Sequence, residues 1–483
     1  MIRLVEPPIP LAPAERFALD LLLDLSRLLR ADALPKDVDV VRLVVTDRPA
    51  AGGLRALHET GWGIVAADGE VRLPRAALAR LAAIAAGEAE QRSMSTDRFG
   101  RVPSSENVLV AEGLEGEPVV AAAAERLRAA ALDAAGGRPV RLLAPWPGGR
   151  RWAAAFTHDL DVVSLWPAFT LLRLAELARK KQLRRAARVI AAALAAMVRR
   201  PVWSAAREVL DVEGRHGVRS TWFILSGTPT TKTARAGDLT YRPEGAAARR
   251  ILDAVAGAGH ELGLHGSFET MDRGAAFAEQ RARLERIVGR EVAGVRQHYL
   301  RTRHGTTERD MAGAGFRYDS TWGFADRNGF RLGVADVVPA WDAVTARPLG
   351  LEAVPFTWMD RSLSKYRAVE EPERWIDEAL SLAARCEAVG GLWVGIWHPN
   401  LSPPLGYPDA PRAFARLARE MAARTPWLCA MGEAVAWRRA RRSARAVSVA
   451  EGGAVRASYE GEAVEAPRLE DAAGRPLESA ARS

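Results

Sequence analysis

Cysteine is nearly missing from this chain: Cys386 and Cys429 are the two thiols in 483 residues. Two thiols cannot build a disulfide framework, and neither sits in a CxxC or Cys/His spacing, so a disulfide-rich scaffold and a zinc-finger module are excluded. Long apolar runs are missing too. The nearest approach, Val189 to Val198, is Ala-rich and closed off by Arg188 and Arg199, well short of the roughly 20 residues that span a bilayer. The opening MIRLVEPPIPLAP has neither the basic start nor the apolar middle of an export signal. These absences predict a cytoplasmic protein, at most peripheral at the inner face of the membrane. Compositional bias is also lacking: 48% hydrophobic and 26% charged residues is ordinary globular usage, which excludes disorder and collagen-like repeats.

What charge excess there is lies in one place. The chain carries a net charge of +9, and Arg173 to Arg200 alone holds nine Lys/Arg against the single Glu176. A nucleic-acid binder spreads its basic charge over a larger face, so no nucleic-acid partner is expected. Leu171, Leu174 and Leu177, then Val189, Ile190, Leu194 and Met197, recur at helical spacing. They predict a basic helical insert over 166–215 whose segment 171–200 is either a solvated helix or a peripheral contact with an anionic membrane. Residues 1–145 read as a small α/β accessory unit, with a helix from Phe17 to Leu29, a strand from Val40 to Thr46 and a second helix from Ala76 to Ala86. A Gly/Pro-rich stretch, AAGGRPVRLLAPWPGGRR, ends it. Residues 443–483, acidic and poor in large apolar side chains, read as a weakly structured tail.

Between these ends, over 146–442, short apolar runs alternate with helix-like sequence. They are WAAAFTHDLD (152–161), STWFIL (220–225), ELGLHGS (261–267), VAGVRQH (292–298), FRYDST (316–321), EAVPFTW (352–358) and GLWVGIWHPN (391–400). Continuous apolar strands separated by helices predict a parallel sheet covered by helices, and seven such units predict a closed or nearly closed β/α barrel. Catalytic side chains then belong at the C-terminal ends of the strands. There the runs place Asp159 and Asp161, His265, Arg296 and His298, and His398. Carboxylates and imidazoles converging on one mouth are what a divalent metal needs to polarise a carbonyl and activate water. Of two carboxylates at i and i+2, one can bind metal while the other takes a proton from water. Arg296 is suited to hold a carboxylate ionised, and His398 to protonate a departing amine.

Taken in order, THDLD (157–161), STWFIL (220–225), GHELGLHGS (259–267), GVRQHYLR (294–301), YDSTWGFADRNGFR (318–331) and WHPN (397–400) resemble the polysaccharide deacetylase family. This is carbohydrate esterase family 4, the chitooligosaccharide deacetylase homology domain, in a long subgroup with HDxD at the first motif. DRFGRVP (97–103) extends the likeness into the N-terminal unit. The resemblance implies a deformed (β/α)7 barrel that removes N-linked acetyl groups from amino sugars with zinc or another divalent ion. It gives Asp159 the role of base, His265 that of metal ligand, Arg296 that of bracing the base and His398 that of acid. The family places a second Asp directly after the first, where this chain has Leu160, so Asp161 becomes the metal carboxylate and the roles of Asp159 and Asp161 can be exchanged. Glu269 stands where the family has a second metal-binding His. His298 is a candidate ligand or sugar contact, Tyr299 a candidate for shaping an oxyanion site, and Trp322 one of several aromatics suited to stack on a sugar ring.

The expected function is a metal-dependent hydrolase removing an N-acetyl or related N-acyl group from an amino sugar in polysaccharide or glycolipid biosynthesis. Its expected partners are an amino-sugar-containing glycan or a lipid-linked or nucleotide-activated sugar. The alternatives on the same fold are a metal-independent hydrolase of another C–N bond and a catalytically silent barrel that binds a glycan or scaffolds an assembly.

Overall fold

The computed structural model describes every residue except 37, 50–51, 164–167, 196, 198–200, 451–453 and 483. The seven apolar runs fall in one curled sheet. Its parallel strands lie in the order Arg347–Ala353, Tyr318–Asp319, Gly294–Gln297, Glu261–Gly266, Thr221–Leu225, Ala153–Leu160, Leu392–Ile396 and Trp358–Met359. Helices such as Ala246–Gly257, Ala275–Val288 and Pro372–Ala388 connect them, which is why Thr221–Leu225 and Leu392–Ile396 are buried along their whole length.

One run departs from the pattern of one run, one strand. The segment at 352–358 leaves beside Tyr318–Asp319 as the end of Arg347–Ala353 and arrives beside Leu392–Ile396 as Trp358–Met359. In between, the Val354 amide donates to Asp319 O at 2.8 Å and the Thr357 amide to Val394 O at 2.9 Å. Pro355 has no N–H and cannot continue either ladder, so the chain changes partner there. This segment spans the gap between the two ends of the sheet, and the result is a half-barrel, a deformed (β/α) barrel.

In the N-terminal unit, Ile2–Val5, Val41–Thr46 and Glu70–Pro74 run parallel with Val65–Ala67 antiparallel at the edge. Helices Pro13–Leu25, Arg75–Ala85 and Val119–Ala134 accompany this sheet. The first helix stops four residues before the predicted Leu29: Arg27 takes a left-handed backbone conformation, and Leu28 and Arg30 turn out to bridge Leu142 and Ile2. The unit packs directly on the barrel. Phe17 stacks on Trp341 with ring centroids 4.8 Å apart, and Asn107 Nδ2 donates to Arg331 O at 2.9 Å.

Residues 443–483, expected to be weakly structured, instead form strands at Arg445–Val449, Val455–Tyr459, Arg468–Glu470 and Pro476–Ser479. Leu469 pairs with Leu143, and the buried Glu470 meets Arg151 at 3.0 Å and Arg27 at 3.7 Å. Sparse apolar residues suffice because Val455, Ala457, Tyr459 and Leu469 share a core with Leu29, Leu34 and Leu143 from the other end of the chain. The described residues of the basic insert form three helices, Ala168–Arg179, Leu183–Ala195 and Pro201–His216; Arg199 and Arg200 lie outside the described residues. Among the described residues no helix is long and apolar enough to cross a membrane.

Candidate active site

The first barrel strand sorts its side chains by alternation. His158 and Leu160 point to one face, and Thr157, Asp159 and Asp161 to the other. His158 is thereby taken out of the chemistry: its ring lies between Trp397 O at 2.8 Å and Glu213 Oε1 at 2.9 Å, fully buried. On the opposite face Asp159 Oδ1 accepts from Arg296 Nη1 at 2.8 Å. The Arg296 guanidinium is held on every side, donating also to Thr157 Oγ1 at 2.9 Å, Ser320 O at 3.0 Å and Ser320 Oγ at 2.8 Å, and it stacks on Phe223 at 4.3 Å. Gly263 permits this packing, since a Cβ there would come within 2.7 Å of the Phe223 ring. Burial raises the Asp159 carboxyl, but Arg296, His265 and His398 outweigh it and hold the group below the usual carboxylate range. Asp159 is therefore ionised, with Oδ2 left facing His265 and His398.

Three imidazoles present Nε2 to the same space. His265 Nε2 lies 3.3 Å from Asp161 Oδ1 and 3.8 Å from Asp159 Oδ2, and His298 Nε2 lies 3.5 Å from Asp161 Oδ1. His398 Nε2 lies 3.6 Å from Asp161 Oδ2 and 4.0 Å from Asp159 Oδ2. On each ring Nδ1 faces a fixed acceptor: Arg296 O at 2.8 Å for His265, Asp238 Oδ1 at 2.5 Å for His298 and Asp360 Oδ1 at 2.6 Å for His398. A carbonyl or carboxylate can only accept, so Nδ1 carries the hydrogen and, in the neutral ring, the lone pair sits on Nε2. Burial lowers the His398 ring, yet Asp360, Asp161 and Asp159 together raise it above the usual imidazole range. Asp161 is held low against its burial by His298, His265 and His398.

These groups fit a divalent ion. Among the described residues, Asp161, His265 and His298 form one group whose ligand atoms lie within 4.8 Å of one another. Asp161 Oδ1 is buried with no hydrogen-bond partner although two imidazole nitrogens surround it, and a buried oxygen left in that state is accounted for by a cation among the three donors. A fifth of the Asp161 side chain remains exposed, enough to admit water or a substrate oxygen to an open position.

The structure does not bring every expected residue to this centre. Glu269 is outside it: its Oε1 meets Arg273 Nε at 3.3 Å on the turn after Glu261–Gly266. The place expected for Glu269 is taken by His298, which the fourth strand delivers at its end. Trp322, expected to stack on sugar, is 4% exposed and stacks on His304 at 3.8 Å, with Gly87 of the N-terminal unit against its edge. It serves as a core anchor. Tyr299 commits its hydroxyl to Ala236 O at 3.0 Å and Gly237 O at 3.2 Å, while its ring stacks on His298 at 3.9 Å. It orients an imidazole and does not offer an oxyanion donor. Sequence reasoning misses Asp238 and Asp360. Asp360 follows the run 352–358 by two residues and is visible as a strand-end acid, whereas Asp238 sits in an irregular loop with no local signal.

A further buried acid closes the fifth strand. Asp319 Oδ1 accepts from the Thr321 amide at 2.9 Å and from its hydroxyl, while Oδ2 has no partner. Burial and the nearby Glu308 push the carboxyl up to about 8. The folded state thus keeps a proton that the unfolded chain releases near pH 4, so this group's stability is fully present below about pH 4 and is lost as pH rises toward about 8. Asp319→Asn is expected to be about 1–3 kcal/mol more stable than wild type at pH 8.5, with the difference shrinking toward pH 4. Denaturant unfolding at several pH values measures it, and parallel profiles for the two proteins would count against the assignment.

No protein-family model matches the chain, and no curated protein matches it either. Solved structures similar to it include the following three. A Mycobacterium smegmatis protein bearing the polysaccharide deacetylase name shares 20% identity over 60% of this chain and 91% of its own, with a TM-score of 0.38. The PuuE allantoinase shares 14% over 62% and 94%, with a TM-score of 0.41. The chitin deacetylase of the fungus Colletotrichum lindemuthianum shares 14% over 58% and 86%, with a TM-score of 0.31. These TM-scores are below 0.5, so the chemistry of this chain is taken from its own residues.

Proposed function

We propose that this protein is a hydrolase of the polysaccharide deacetylase kind that removes an N-acetyl or related N-acyl group from an amino sugar. The observation that carries the reading is the division of labour between two carboxylates on one strand end. Asp159 is braced by Arg296, while Asp161 faces two imidazoles whose lone pairs are aimed at it. Asp161, His265 and His298 would hold a divalent ion, zinc by the character of an N,N,O donor set. When bound, that ion supplies Lewis acidity toward the amide carbonyl and toward water. Asp159 Oδ2 takes a proton from the attacking water, with Arg296 fixing the carboxylate through Oδ1. His398 Nε2, kept protonated by Asp360 behind it, gives a proton to the amine nitrogen as the C–N bond breaks. The test is release of free amine from N-acetylated amino sugars before and after chelation. Loss of turnover on chelation and its return with zinc support the reading; turnover that survives chelation favours metal-independent C–N hydrolysis, and binding without turnover favours a silent barrel.

We place the substrate at a membrane surface, on the cytoplasmic side where anionic lipid is abundant, as a lipid-linked sugar or a nucleotide-activated sugar used beside the bilayer. Six of the sixteen exposed large apolar side chains among the described residues fall within 171–197. On the helix Leu183–Ala195, Leu183, Ile190 and Leu194, spaced seven and four apart, share one exposed stripe while Val189 and Ala193 are buried, and Met197 just past the helix is exposed as well. Lys181, in the turn before this helix, and Arg184 within it are both exposed. An apolar stripe edged by lysine and arginine is the pattern of a helix lying in an anionic interface. Arg185 is already paired with Glu370, so charge reversal belongs at Lys181 and Arg184 instead. Full-length protein is expected to pellet with vesicles containing anionic lipid at low salt. The charge reversal Lys181→Glu/Arg184→Glu and the stripe variant Ile190→Ser/Leu194→Ser are each expected to lose most of that binding, and wild type that stays in the supernatant would sink the idea.

A further inference from the structure

The catalytic centre has a second ring of groups at its mouth that the hydrolysis itself does not use. The turn DRFG from the N-terminal unit reaches over the barrel, so that Phe99 stacks on Tyr299 at 5.0 Å and Tyr299 in turn stacks on His298 at 3.9 Å. Arg101 fastens this turn: it donates to Tyr299 O at 2.9 Å, is clamped by Asp97 at 2.6 Å, and lies over the Phe99 ring at 4.8 Å and the Tyr366 ring at 5.7 Å. From the other side, Lys365 Nζ sits 6.0 Å from the Tyr299 ring and 5.7 Å from the Tyr366 ring. Arg98 and Lys365 are both exposed, and among the described residues neither has a carboxylate within ion-pair distance. Two unneutralised cations thus stand beside this aromatic surface, Arg98 over the Phe99 ring and Lys365 over the Tyr366 ring.

We infer that Arg98, Lys365 and the aromatic surface of Phe99, Tyr299 and Tyr366 form a subsite for a phosphate group carried by the amino-sugar substrate. With Arg101 balanced by Asp97, the exposed Arg98 and Lys365 offer two positive charges, matching the charge of a phosphate monoester or a pyrophosphate better than the single charge of a uronic carboxylate. Guanidinium and ammonium groups supply charge-assisted donors to phosphate oxygens, and the rings beside them offer a face for a sugar or a base. Partial burial of the ammonium comes first in holding Lys365 below the usual lysine range, and repulsion from Arg361, Arg98 and Arg101 adds to it despite Asp161. An anion placed among these cations relieves that repulsion. The subsite rests on the proposed amino-sugar reading, and it gives the N-terminal unit a task in substrate recognition.

The test is calorimetric binding to the full chain, which does not depend on turnover. The probes are N-acetylglucosamine 1-phosphate, a nucleoside diphosphate N-acetylglucosamine, a short-chain polyprenyl phosphate N-acetylglucosamine, and neutral di-N-acetylchitobiose. The phosphorylated probes are expected to bind about tenfold or more tightly than the neutral one. That advantage should vanish in Arg98→Ala/Lys365→Ala, whereas Lys365→Arg should keep it. Preference between the nucleotide and polyprenyl probes then tells the two phosphate sources apart. Rim-dependent binding without amine release would overturn the hydrolase reading and keep the subsite; equal binding of phosphorylated and neutral probes, no binding of any probe, or an unchanged double variant would overturn the subsite.

Discussion

Asp159→Asn is expected to lower hydrolysis of an N-acetylated amino sugar by about 10²–10⁴-fold, the range associated with losing a positioned proton acceptor. The residue reaches no solvent-facing partner that could replace it: Oδ1 is committed to Arg296 at 2.8 Å, and Oδ2 is the one oxygen turned to the centre. An Asn amide oxygen still accepts from Arg296, so the fold is retained, but the buried guanidinium loses its counter-charge and stability falls by about 1–3 kcal/mol. Single-turnover rates together with denaturant unfolding separate the two effects. A variant with wild-type turnover removes Asp159 from the chemistry. If Asp159→Asn is inactive while Asp161→Asn keeps its turnover and loses only metal affinity, the assignment of base and ligand stands.

The second large effect separates two residues that lie 29 positions apart. His298→Ala is expected to weaken metal binding by more than about 100-fold, whereas Glu269→Ala is expected to leave it unchanged. His298 aims Nε2 at Asp161, and Glu269 is turned to Arg273. Asp238→Asn should fall between them, at about 10–100-fold, because Asp238 holds the tautomer and orientation of His298 from behind. Elemental analysis of dialysed protein and competition titration against a chelator give the three values. Metal retained by His298→Ala and lost from Glu269→Ala would reverse the assignment, and wild-type protein that takes up no divalent ion after supplementation would remove the centre altogether.

The strand ends are legible in the sequence because their signal is local. Continuous apolar runs ending in Asp, His or Arg mark parallel strands and point their last side chains to one mouth; Asp159, Asp161, His265, Arg296 and His398 do meet there. Alternation along 157–161 is local as well, and it puts Asp159 and Asp161 on one face. The misplacements share a different cause. Glu269 sits four residues after His265, but the chain turns directly after Glu261–Gly266, so sequence proximity to one ligand does not become spatial proximity. Trp322 follows a strand end in sequence and is nevertheless sealed under Gly87, because the N-terminal unit closes over that side.

By itself the sequence determined the class of fold, the half-dozen side chains at the strand ends and the basic, amphipathic character of 171–200, since each depends on periodicity and composition within a short window. Only the tertiary structure decided which imidazole completes the group around Asp161, which carboxylates stand behind the rings, and that the turn at 97–101 reaches the mouth of the barrel. Those are contacts between residues 38 to 198 positions apart, set by how strands are ordered in the sheet and how a separate unit packs upon it. The ordering is fixed by the burial of many apolar side chains at once, a cooperative quantity that no single motif carries.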